Sequence, residues 1–336
     1  MDLAVKSDVI VRIEIQRPTP KLGFGKTLII GSSVTGMDYK TYYDLEAIQK
    51  DFAQTSEVYK AAFALLNQGD NSPSEIAVML HKTEGEPLAD FLPKIFEKDW
   101  YFLVSTSSQK TNILTIADAV EQNNSRQFFA SSSSLEDLAT IKAKKYTRTT
   151  MFYHTTTDNY PEAAWLGSCA AADVGSITWK SKTLKGINVL DISTTEFMAI
   201  HDAGANTYVK KAGDDVTSEG KTVSGEYIDI IHARDYLVFS IQYAIQKLLN
   251  RSPKIRYDNT GISQIEGEVR TVLKRADLNG MIAHDDDGQA LFSTRFKSRA
   301  EVDPADREKR EYNDGTFQFE LAGAIHSATV IGTIIL

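Results

Sequence analysis

The sequence predicts an α/β protein. A helix-covered, mixed and largely parallel sheet forms the core, an α+β C-terminal domain follows, and extended strand-like arms sit at both ends. Three observations lead there. Between Lys26 and His154, short apolar runs alternate with amphipathic helical periods, the pattern of a parallel sheet with helices on its faces. Between Tyr227 and Asn279, two long apolar stripes at helical spacing predict a helix pair. Each end of the chain carries a strand pattern set apart by prolines or by charge.

The elements follow in order. In residues 8–16, Val9, Val11, Ile13 and Ile15 share one face, while Asp8, Arg12 and Glu14 share the other, joined by Ile10. Pro18 and Pro20 then break the pattern, so 1–22 reads as an N-terminal strand arm. The core domain, 23–210, contains apolar runs at 27–31, 75–80, 100–105, 126–130 and 148–154. Tyr59, Ala62, Phe63 and Leu66 fall at helical spacing, with Gly69 as the stop; Ile113, Ile116, Ala117 and Val120 repeat the spacing. Ser133 with Glu136 makes a capping-box pair for a helix through Lys142, and Pro161 opens a helix through Ala172. Ser193 with Glu196 makes a second such pair, closed by Gly204.

Residues 211–225 are polar and read as a loop or hairpin. In the C-terminal domain, 226–316, the first long helix carries Ile230, Leu237, Ile241, Ala244 and Leu248 along one stripe. The second turns Ile262, Ile265, Val269, Val272 and Leu273 inward and stops at Gly280. A strand at 290–296 and a charge-rich, solvated connection at 299–314 complete the domain. The segment 317–336 reads as a C-terminal strand arm. It holds Phe317, Phe319 and Leu321, then the alternating Ala328, Val330, Ile334 and Leu336, and it needs cover on both faces.

Charge and composition narrow the function. The 336 residues include 37 Lys and Arg against 45 Asp and Glu, a net charge of −8. A mildly acidic chain lacks the clustered positive charge that binds nucleic acid or anionic membrane. No apolar run approaches the ~20 residues of a membrane span, and the N-terminus lacks the layout of a secretory signal. The single cysteine, Cys169, forms neither an intrachain disulfide nor a Cys-based zinc site. These features predict a soluble protein folded in cytoplasm.

The motifs of catalysis fail in turn. GFGKT, at 23–27, imitates the end of a phosphate-binding loop, but Pro20 stands where the first glycine should be and an apolar strand follows instead of a helix. GSSVTG, from Gly31 to Gly36, sits where a first strand–helix loop would hold a ligand, yet matches neither GxGxxG nor GxSxG. His81, His154, His201, His232, His284 and His326 show no metal-ligand spacing. HDDDG at 284–288 lacks the alternating ligands of a calcium loop and reads as a turn. Cys169, Trp165 and Trp179 read as core residues. No catalytic, cofactor-binding or metal-binding residue is predicted.

Four stretches resemble the tail sheath proteins of contractile phage tails and phage-tail-like bacteriocins. They are DNYPEAAWLGSCAAADVGSITWKSKTLKGI (158–187), EYIDIIHARDYLVFSIQYAIQKLL (226–249), NTGISQIEGEVRTVLKRADLNGMIA (259–283) and FELAGAIHSATVIGTI (319–334). The resemblance covers residues 150–336, and the N-terminal half fits by architecture. It implies a structural subunit, not an enzyme, that polymerises as stacked rings around an inner tail tube. Such a sheath contracts after a baseplate signal and drives the tube through a cell envelope. The implied partners are further copies of the chain, the tube protein, and the baseplate and tail terminator proteins, with no direct nucleic-acid or membrane partner. The implied location is a virion tail or tail-like particle assembled in the bacterial cytoplasm.

On that resemblance the arms carrying Val9, Val11, Ile13 and Ile15, and Ala328, Val330, Ile334 and Leu336, cross to neighbouring subunits. Read from the residues alone, pairing of the arms with the chain's own sheet is favoured, and the resemblance reverses that preference. Lys254, Arg256, Arg270, Lys274 and Arg275 form a candidate contact with an acidic tube surface. Two other readings remain open at this stage. One is a doubly wound enzyme with a ligand near Gly31 and Gly36; the other is an α/β binding module that oligomerises through edge strands.

Overall fold

The computed structural model describes residues 24–327. Its centre is a seven-stranded sheet in which the five predicted apolar runs all appear. They are β1 (Thr27–Ser33), β3 (Ile76–Lys82), β4 (Phe102–Ser105), β5 (Gln127–Ser132) and β6 (Thr149–Tyr153). These five are mutually parallel, in the order β3-β1-β4-β5-β6. Two strands absent from the sequence reading flank them. Antiparallel β2 (Met37–Tyr42) pairs with β3, and the two-residue β7 (Ala205–Asn206) pairs with β6.

Alternation along each strand explains the burial on both faces. Ile29, Val78, Phe102, Val104, Phe129 and Phe152 point into one apolar layer. Leu28, Ile30, Met79, Leu103, Phe128 and Met151 point into the other. The first layer is covered by α2 (Glu57–Leu66) and α6 (Pro161–Cys169), after the short α1 (Leu45–Asp51). The second is covered by α3 (Leu88–Ile95), α4 (Lys110–Asn123) and α5 (Leu135–Lys142). Trp165 and Trp179 pack in the first layer with ring centroids 5.8 Å apart, as core residues should. Helices α2 and α6 approach closely because Gly167 has no side chain: a Cβ there would stand 2.0 Å from the Leu65 carbonyl oxygen.

The helix starts follow their caps. Ser56 accepts from the Tyr59 amide, and Ser193 with Glu196 closes a full capping box on α7 (Thr194–Asp202). For α5 the cap is Ser134, accepting from Asp137, one residue later than Ser133 and Glu136 predict. The run of four serines there offers several registers, and burial of Leu138 and Ile141 selects one.

Both edges of the sheet carry features that discourage indiscriminate pairing. On β2, Asp38 and Lys40 are exposed, and its register against β3 shifts between Met37 and Lys40. Beyond β7, the Asn206 amide donates to the carbonyls of Met151 (3.1 Å) and Lys221 (2.7 Å) and accepts from the Gly220 amide at 2.9 Å. The Ser218 amide donates to the Thr207 carbonyl at 2.9 Å and the Thr207 amide to the Ser218 hydroxyl at 3.0 Å, so the chain after β9 runs along this border.

The predicted loop or hairpin is a hairpin in part. β8 (Tyr208–Lys211) and β9 (Asp214–Thr217) are antiparallel around Ala212 and Gly213, whose φ values of 51° and 98° suit a tight two-residue turn. The helix pair follows as α8 (Ile228–Arg251) and α9 (Asn259–Leu278), each within two residues of expectation. Ala233, Leu237, Ile241, Val269, Val272 and Leu273 form a third, separate apolar cluster between them. Ile230 is only half-buried; Ile231 takes the inward position instead. β10 (Phe292–Phe296) and β11 (Gly315–Phe319) make an antiparallel ribbon against this cluster, so Phe317 and Phe319 pair with Thr294 and Phe292. The charge-rich connection contains a short helix, α10 (Pro304–Lys309), started by the Asp303 cap and Pro304.

Candidate assembly surface

The C-terminal helices are fastened to the sheet by one buried polar network. Asp235 occupies an inward position on α8, at the spacing of Ile228, Ile231 and Val238, so it must meet a partner. That partner is Arg148, just before β6. Its Nη1 and Nη2 donate to the two Asp235 carboxylate oxygens at 2.6 and 2.9 Å. The side chains are 0% and 3% exposed. Tyr101 donates to Asp235 at 2.8 Å and accepts from Gln127 at 3.1 Å, while Arg148 Nε donates to Asn124 at 2.6 Å. Burial alone would weaken the hold of Arg148 on its proton, but the Asp235 carboxylate more than offsets this and the guanidinium pKa rises. Burial, then the Asp235 charge, pushes the Tyr101 phenol well up, so it stays a donor. The sequence reading missed this pair; an aspartate on an apolar stripe was the available signal.

Phe24 adds an apolar fastening beside it. Its ring packs on Tyr101, Tyr236 and Phe239, with centroids 5.1, 5.4 and 5.4 Å away. Its carbonyl accepts from His232 Nε2 at 2.9 Å, and burial lowers the His232 pKa to about 4, so the ring is neutral.

The other end of the described chain returns to the same helix. Leu321 bridges Ile282, the Ala283 amide donates to the Glu320 carbonyl, and the Ala322 amide donates to the Met281 carbonyl, both at 2.9 Å. His326 then lies 4.8 Å from the Tyr227 ring, 2.8 Å from the Thr178 hydroxyl, and its carbonyl accepts from Lys180 at 3.3 Å. Both ends of the described residues therefore lie alongside α8. Val9, Val11, Ile13, Ile15, Ala328, Val330, Ile334 and Leu336 lie outside the described residues.

The five basic residues fall into two groups. Lys254 and Arg256 are exposed on the α8–α9 connection, where Arg256 pairs with Asp258 at 3.2 Å. Arg270, Lys274 and Arg275 are exposed further along α9, and Arg270 reaches Thr294 at 3.1 Å. The helix rise separates Asp258 from Arg270 by about 18 Å. Arg270 and Lys274, four residues apart, share one face.

The rejected chemical motifs are accounted for by packing. At Gly25 a Cβ would stand 2.4 Å from the Ala170 carbonyl oxygen, so this glycine serves close backbone approach. The turn at Gly36 (φ 69°) leads into strand β2, so the segment from Gly31 to Gly36 is followed by a strand and not by the helix a first strand–helix loop requires. Asp285 in HDDDG accepts from the amides of Asp287 and Gln289 at 3.0 and 2.8 Å, which makes it a turn. Burial pushes the Cys169 thiol up to about 12, leaving it protonated at neutral pH. Among the described residues no group of three His, Cys, Asp or Glu side chains is placed to hold a metal, and no helix is long and apolar enough to cross a membrane.

No protein-family model matches the chain, and a search of curated proteins found no match. Solved structures do match. The helical sheath of the anti-feeding prophage in its contracted state superposes with a TM-score of 0.68 at 11% identity, covering 100% of this chain and 99% of that one. The sheath of an extracellular contractile injection system (PVC), also contracted, gives 0.66 at 12% identity, covering 100% and 98%. A sheath tail protein from Desulfitobacterium hafniense gives 0.57 at 8% identity, covering 85% and 93%. The chain has the fold of contractile tail sheath proteins.

Proposed function

We propose that this chain, carrying the sheath fold, is the structural subunit of a contractile tail sheath or of a tail-like particle. The observation that supports this most is the match to contracted sheath subunits along the whole chain, at 100% coverage. Copies polymerise as stacked rings around an inner tube and shift to a shorter packing that drives the tube through an envelope. The partners are other copies, the tube protein, and baseplate and terminator proteins; assembly takes place in the bacterial cytoplasm. The sheath fold and the strand that follows Gly31 to Gly36 in place of a helix weigh against a doubly wound enzyme.

Physical arguments support the reading. Residues 1–22 and 328–336 carry strand patterns, and an isolated strand is unstable in water. Lent to a neighbour, a strand with about eight main-chain hydrogen bonds gains ~4–12 kcal/mol before ordering costs. The Arg148–Asp235 network holds the helix pair to the sheet, so each subunit moves as one body while contacts between bodies are exchanged. The exposed Arg270 and Lys274 face of α9 suits an acidic tube surface.

Electron microscopy of the concentrated full chain tests the proposal. Rings or striated tubes are expected, and removal of residues 1–20 should abolish them. A discrete small oligomer from the full chain would refute the sheath role, and tubes from the truncated chain would refute the N-terminal link.

A further inference from the structure

A small polar cleft opens at the carboxyl ends of β4 and β5, beside the point where the strand order reverses between β3-β1 and β4. Clefts of open parallel sheets take ligands at this location. Ser105 of β4, Ser131 of β5, Glu57 of α2 and Tyr160 and Glu162 of α6 line it, around a volume of 70 Å³. One water needs only about 10–15 Å³ of such space, so the cleft has room for a small charged head group.

Its charge is negative and its most buried acid is unfinished. Glu57 is committed: one oxygen accepts from Lys60 and the other from Tyr160, both at 2.7 Å. Asp158 stands exposed at the rim. Glu162 is 2% exposed, Ser131 bonds its carboxyl group, and its Oε2 has no partner. Among the described residues, no lysine, arginine or histidine lines the cleft. A buried carboxylate oxygen without a donor is costly, and a charged N–H donor satisfies it best. A calcium ion would need six to eight oxygens, and no three acidic or histidine groups converge here among the described residues.

We propose that this cleft binds a primary ammonium group, with Glu162 as its anionic partner and the surrounding hydroxyls as further acceptors. Two sources supply that chemistry: a lysine of an adjacent copy of this chain, or a free alkylamine. The first source rests on the polymer proposed above; the binding chemistry does not.

The test is thermal unfolding of the unassembled full chain with n-butylammonium chloride, against sodium chloride at equal ionic strength. At pH 8 the amine should raise Tm saturably, and Glu162→Gln should lose that rise. Burial pushes Glu162 up to about 7, with Glu57, Asp158, Tyr160 and Lys60 the other ionisable groups around it, so the amine effect should fade below pH 6. An equal response to sodium and butylammonium, or an amine response kept by Glu162→Gln, overturns the proposal and leaves water as the occupant. Polymer that is weakened by Glu162→Gln and competed by butylammonium identifies a neighbour's lysine; polymer indifferent to both identifies the free amine. If no polymer forms at all, the amine titration still decides the site.

Discussion

Substituting Asp235 by Asn tests the join between sheet and helix pair. The change keeps the volume but removes the charge facing Arg148, whose side chain is 0% exposed. It also turns one of the two oxygens that accept from Arg148 into a competing donor. Breaking one partner of a buried ion pair costs about 3–5 kcal/mol, because the remaining charge cannot reach water. Domains hold only about 5–15 kcal/mol in total, so the loss should consume roughly a fifth or more of the stability. Trp100, Trp165 and Trp179 are all buried, so urea unfolding followed by tryptophan fluorescence reads it directly. The double variant Arg148→Met, Asp235→Leu should recover at least about half of the loss, since a fully apolar pair leaves no stranded charge. A single variant within about 1 kcal/mol of wild type, or a double variant as unstable as the summed singles, would refute the network as the fastening.

Other consequences are open to measurement. Gly167→Ala puts a Cβ 2.0 Å from the Leu65 carbonyl oxygen and should cost about 1–3 kcal/mol in the same urea assay. Glu162, raised from 4.5 to about 7 by burial, holds more protons folded than unfolded, so its contribution to stability falls as pH rises from 4.5 to 7. His232, lowered from 6.5 to about 4 by burial, does the opposite, losing stability as pH falls from 6.5 to 4. Each carries roughly 3 kcal/mol, so the two offset each other in mild acid and Glu162→Gln should expose the acid lability of His232 in a Tm-versus-pH series. A flat series in that variant would contradict the pair. Reversing charge at Arg270 and Lys274 should weaken co-sedimentation with the tube protein; unchanged assembly on tubes removes α9 as the contact.

The parallel strands were legible because each is buried on both faces, which leaves nearly unbroken apolar runs such as LIIG and FLVS. The helix pair was legible from its stripes. β2 was not, since Met37–Tyr42 is half-buried and alternates with Asp38 and Lys40, a pattern shared with exposed loops. β7 owes its existence to pairing with β6 and to the Asn206 amide, neither of which marks the local sequence. For the buried polar groups the limit was distance along the chain. Arg148 and Asp235 are 87 residues apart, and each looks ordinary alone. Glu162 reads as a common first-turn acid after Pro161 until the fold sets its Oε2 against the cleft.

The borders of the central sheet have a bearing on crowding. In a polymer of the kind proposed, bodies would meet at very high local concentration, where a bare β-edge would zip to its neighbour without regard to register. The bulged, charged rim of β2 and the Ser218 backbone lying along β7 work against that route. Fusion of neighbouring sheets into one rigid aggregate would thereby be disfavoured, and a filament of such bodies would keep the freedom to slide.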